Sequence, residues 1–158
     1  MDMLDQPSWH WGMLLIALTL AFHAAAVVMI GIVAVSIRFR PETRSLDLWK
    51  LIPMMICIAA AIGLLLAVVH GIECGIWAVA YLRLDALESP RDALLFSIDS
   101  MSTRGASGLT LQSHWQLMGV LEAINGMLLF GVSIAWLFTV AQGYWLMIAE
   151  HVAPARRP

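Results

Sequence analysis

Three long apolar stretches separated by short polar connections dominate the chain. Residues 11–37 contain no Asp, Glu, Lys or Arg, 51–82 are interrupted by His70 and Glu73, and 117–149 by Glu122. Each exceeds the ~20 residues that cross a hydrocarbon core. The second and third are long enough to tilt within it or to project beyond it. Between them lies a shorter pattern. Ser89-Pro90-Arg91-Asp92 carries the signals of a helix start: an N-capping Ser, Pro at the first helical position and an acid in the first turn. The mostly apolar residues that follow predict a helix over 90–101, about 18 Å long and too short to span. Ser102-Thr103-Arg104-Gly105-Ala106-Ser107-Gly108 then breaks it, and Trp115 restarts an apolar run. A half-length apolar helix, a small polar stretch and a return to the same face predict a re-entrant loop. Such backbone is tolerated only where protein or a water-filled cavity surrounds it, as at an oligomer axis.

Composition turns this pattern into a class. Of 158 residues, 61% are hydrophobic and 13% charged, against ~25% charged in soluble domains, and mean hydropathy is +0.82. This excludes a disordered chain, a disulfide-rich secreted domain and an ordinary soluble enzyme, and indicates an integral membrane protein. The net charge of −2 gives no reason to expect a nucleic-acid partner. The N-terminus is acidic and the first apolar run is too long for the core of a removable signal, so no cleaved signal peptide is expected. Cys57 and Cys74 are too far apart to be bridged within one helix. Arg38, Arg40, Arg44 and Lys50 in the first loop, with Arg156 and Arg157 at the C-terminus, place both segments in the cytoplasm by the positive-inside rule. The N-terminus and the 83–116 connection then face outside, although Arg83, Arg91 and Arg104 lie in that connection. Trp9, Trp11, Trp49, Trp115 and Trp145 stand near segment ends, as an aromatic belt would.

From Leu51 to Gln142 the order of elements resembles the pore module of the potassium-channel superfamily: outer helix, pore helix, filter, inner helix, repeated four times around an axis. Ala93-Leu94-Leu95-Phe96-Ser97, the 102–108 stretch and Trp115 carry the resemblance. The stretch from Leu121 to Gly131 is similar to the inner helix of small bacterial members that have an extra N-terminal helix. The resemblance implies an all-α integral membrane fold: three transmembrane helices plus a re-entrant pore helix and filter loop, in a tetrameric potassium-channel-like pore of a bacterial-type inner membrane. It divides the chain into an N-terminal tail, first helix and loop (1–50), a pore module (51–149) and a short tail (150–158), with the first crossing packed outside the pore module. The family filter reads Thr-Val-Gly-Tyr-Gly-Asp, and this chain has Thr103, Arg104, Gly105, Ala106, Ser107 and Gly108 in that register. Potassium filters replace the ion's water with inward carbonyls, on a backbone that alternates through left-handed angles. Ser107 at a former Gly position is expected to be strained. Altered or relaxed selectivity for a monovalent ion follows. Arg104 either pairs with Asp99 behind the filter or rings the axis, where it repels cations. Glu122 and Asn125 are expected as supports behind the filter. Gly126 and Gly131 are either gating hinges or sites of close helix packing.

Glu73 and Glu122 are intramembrane acids and need partners. His70 and Glu73 share a helix face with Cys74 beside them, and read as a weak metal candidate, a proton-sensitive gate or interhelical hydrogen bonding that fixes packing. His23 and His70 are candidates for haem ligation. No nucleophile triad, phosphate loop or paired catalytic carboxylates occur, so the chain reads as a non-enzyme. Three readings follow: a homotetrameric ion channel in membrane lipid with no resident cofactor, a non-conducting relative with Arg104 across the axis, and a haem- or metal-binding membrane protein.

Overall fold

The computed structural model describes residues 7–39 and 47–152, and among these every regular element is helical. The expectations resting on Arg40, Arg44, Arg156 and Arg157, and on most of both tails, lie outside the described residues. The helices are α1 (Pro7–Arg38), α2 (Leu48–Arg83), α3 (Pro90–Met101) and α4 (Gln116–Val152). Three of them, α1, α2 and residues 116–149 of α4, are long and apolar enough to cross a membrane.

Their ends follow local chemistry. Pro7 occupies the first helical position of α1, where its missing N–H costs nothing. Arg38 and Arg83 complement the C-terminal dipoles of α1 and α2. Ser89 caps α3 in extended conformation and accepts from the Asp92 N–H at 3.4 Å. Both α2 and α3 stop at a residue in the left-handed region, Asp85 (φ 52°) and Thr103 (φ 56°). After α3, the Thr103 N–H reaches the Ser100 carbonyl at 2.9 Å and the Arg104 N–H the Asp99 carbonyl at 3.0 Å, a Schellman-type cap. Asp tolerates that conformation; a β-branched Thr is strained in it.

The exterior is apolar and the interior is where polar groups collect. Leu64, Ile134, Phe138, Met29 and Ile56 are each more than 60% exposed, whereas Thr19, His23, Glu73, Glu122 and Asn125 are fully buried. In water this arrangement would be inverted; lipid explains it, since only the interior offers hydrogen bonds. Trp49, at 91% exposure, and Trp145 face outward as belt residues do, but Trp115 is buried in a core with Met118, Trp77 and Leu111.

Packing groups the chain into two compact units, residues 1–24 with 68–131 and residues 25–67 with 132–158. Each long helix contributes one part to each unit. The first unit is built on Trp77, Tyr81, Met101, Met118 and Leu129. The second has two small cores, Val27, Ala34, Ile62 and Leu66 in one and Leu51, Tyr144 and Met147 in the other.

Candidate functional site

Asp99 organises the loop that follows α3. Its Oδ1 accepts from Arg104 Nε at 2.6 Å and from the Ala106 N–H at 3.2 Å, and its Oδ2 from the Ser107 N–H at 2.9 Å. The Asp99 side chain is buried, while that of Arg104 is 58% exposed. The guanidinium first, then the Ser107 and Ala106 N–H groups, hold the Asp99 carboxyl well below the usual carboxylate range against the opposing effect of burial. Every described peptide is trans, so each carbonyl points opposite to the N–H of its own peptide plane. With the 106 and 107 N–H groups on Asp99, the carbonyls of Gly105 and Ala106 are turned away from it. Ser107 escapes the strain expected there: the left-handed positions are Thr103, Gly105 and Gly108. A concavity of about 590 Å³ borders the loop, lined by Thr103, Gly105, Ser107 and Gly108 and, from α4, by Gly119 and Ala123.

Behind α3 stands Glu122. Tyr81 Oη donates to its Oε2 at 2.7 Å, and Ser97 Oγ lies against its Oε1 and also 2.9 Å from the Cys74 carbonyl. A hydroxyl has one proton and cannot serve both acceptors. The network closes when Glu122 carries a proton donated to Ser97, which then donates to Cys74. Ser100 anchors α3 a second time, donating to the Gly119 carbonyl at 2.7 Å.

Asn125 is placed elsewhere: its Nδ2 donates to Thr19 Oγ1 of α1 at 2.9 Å rather than to the loop. Gly126 presses on the Met101 main chain, where any β-carbon would collide with the carbonyl, so close packing accounts for this glycine. Gly131 has open space around it.

A third cluster joins α1 and α2 within the first unit. His23 Nδ1 lies 2.9 Å from Glu73 Oε1, and His70 Nδ1 lies 3.0 Å from Glu73 Oε2, the first aligned as a hydrogen bond and the second not. Both histidines and the acid are buried. Cys74 turns away, its thiol 3.5 Å from the Met101 sulfur.

Tyr81, Ser97, Ser100 and Thr19 were not among the sequence candidates. Ser97 and Ser100, three apart on a short apolar helix, were the available signal; nothing local marks Tyr81 or Thr19 as partners of residues some 41 and 106 positions away. Comparison of the chain with protein-family models, curated proteins and solved structures finds no match.

Proposed function

We propose that the chain is one subunit of a membrane pore that passes small ions down their gradients, four copies presenting Thr103 to Gly108 at a shared axis. One observation carries this reading: the Gly105 and Ala106 carbonyls point away from the carboxylate that fixes their backbone, which is how a loop offers oxygens to a cation. The placement of α3 supports it. A capped 12-residue helix, tied by Ser97 and Ser100 to the elements on either side, delivers a strained residue, Thr103, at its end. Strain of that kind is stored where surrounding contacts over-determine the backbone.

The loop also argues against potassium-grade selectivity. Its left-handed residues do not alternate through the 103–108 run, and the Asp99–Arg104 pair occupies the place of an uncharged wall. Coarse cation selectivity follows. In this reading α3 re-enters the membrane, the N-terminus lies outside, and Gly131 rather than Gly126 is free to bend.

The test is reconstitution. Purified chains of 17.4 kDa are sized in detergent and placed in liposomes under KCl, NaCl and impermeant-ion gradients. A tetrameric mass and a reversal potential close to non-selective for K⁺ over Na⁺ are expected, with selectivity altered in Arg104→Val. A monomer, or a tetramer that passes no ion even as Arg104→Ala, overturns the proposal. A tetramer that conducts only as Arg104→Ala identifies the arginine as a plug and sustains the non-conducting alternative.

A further inference from the structure

The His23, His70 and Glu73 cluster contains more than packing needs. One buried carboxylate requires one partner. Here two imidazoles, from different helices, converge on the same carboxylate in the middle of segments long and apolar enough to cross a membrane. Their potential ligand atoms all lie within 4.8 Å of one another. Around zinc, imidazole nitrogen and carboxylate oxygen sit ~2.0–2.2 Å from the ion, so opposed ligands are at most ~4.4 Å apart. Small side-chain rotations close that difference. The surroundings favour an ion held without bulk water: His23 and Glu73 are fully buried, His70 nearly so, and the His70 ring stacks on Phe130 at 4.4 Å.

We propose that His23, His70 and Glu73 form a binding site for one divalent transition-metal ion of the zinc class. Two nitrogens and one oxygen are the donor set of zinc and of non-haem ferrous iron, and three protein ligands leave a position for water. The haem alternative fits less well. The His23 and His70 rings stand 5.1 Å apart at 34°, side by side rather than on opposite faces of a macrocycle. The ion takes the place of protons held between imidazole and carboxylate, which leave to solvent, so uptake weakens as pH falls. It also ties α1 to α2 at the level of His23. The site stands independently of the pore reading.

The test uses full-length protein purified in detergent without a polyhistidine tag, stripped with chelator and dialysed against Zn²⁺ or Co²⁺. One ion per chain is expected, with the visible ligand-field bands of low-symmetry Co²⁺ and a rise in thermal midpoint on Zn²⁺ addition. His23→Ala and Glu73→Gln are expected to weaken uptake by more than the ~100-fold that loss of a mere supporting partner costs, and His114→Ala to leave it unchanged. Should the ligand variants fail to fold, the wild type decides alone. Absence of the Co²⁺ bands, or uptake that His114→Ala lowers as much as His23→Ala does, overturns the proposal.

Discussion

The two compact units of this chain are assembled from the same three long helices, yet they bury different chemistry. The unit formed by residues 1–24 and 68–131 encloses Thr19, His23, His70, Glu73, Ser97, Asp99, Glu122 and Asn125. The other encloses Val27, Ala34, Leu51, Ile62, Leu66, Ser133 and Met147, and its polar contacts include Tyr144 Oη to the Ala34 carbonyl at 3.2 Å. Polar groups at membrane depth are costly unless paired, and among the described residues one unit buries a large set while the other buries little beyond Ser133 and Tyr144. In the apolar unit close approach does the holding, as where Gly31 lets the Trp136 ring against α1. In the polar unit Ser97, Ser100 and Asp99 are each hydrogen-bonded, which gives short helix α3 and its loop a defined position.

The comparison is broken most severely at Glu122. Glu122→Ala deprives Tyr81 of its acceptor and Ser97 of a buried partner and is expected to cost about 3 kcal/mol, the range for removing one member of a buried polar set, read as thermal unfolding in detergent. Glu122→Gln, which keeps an acceptor and a donor, should recover most of it. Gly126→Val drives a side chain into the Met101 carbonyl and is expected to cost about 2 kcal/mol by overpacking, on the same readout. Thr103→Gly acts in the opposite direction: relieving a left-handed Thr is expected to stabilise by about 1 kcal/mol. If the strain serves the constriction, ion flux through reconstituted protein changes at the same time.

A smaller effect comes from Asp99. Because its folded carboxyl titrates below the usual range, its pairing stabilises the protein above the ordinary Asp pKa of ~3.9 and is lost as pH falls through the folded value. The melting temperature is expected to be insensitive to this pair from neutral pH to about 5 and to fall below ~4. In Asp99→Asn it starts lower and that acid limb is gone. The smallest change is expected in the apolar unit. Tyr144→Phe removes one membrane hydrogen bond and is expected to cost about 0.6 kcal/mol. A loss there equal to that of Glu122→Ala would erase the distinction between the two units.

Much of this architecture was legible in the residues. Long apolar runs define α1, α2 and α4 to within a few positions, since lipid demands apolar side chains over a fixed length. Ser89, Pro90 and Asp92 mark where α3 begins, and the Ser102–Gly108 stretch where it stops, because caps and helix breakers act within one turn. The resident acids at 73 and 122 announced that partners exist. Which partners was a different matter. The sequence placed Asn125 behind the loop, and it binds Thr19; it read Gly126 as hinge or packing, and the Met101 carbonyl accounts for it. It weighed His23 with His70 for haem, and both lie against Glu73.

Chain order and periodicity therefore determined the elements, their ends and the expectation of a membrane around them, because these depend on solvent and on neighbours a turn away. Only the tertiary structure decided that Tyr81 and Ser97 share Glu122, that Asp99 turns the Gly105 and Ala106 carbonyls away from itself, and that two histidines 47 positions apart converge on one carboxylate. A hydrogen bond is won or lost over less than an ångström. The rotation and depth at which three long helices pack set that distance, and no local pattern encodes them.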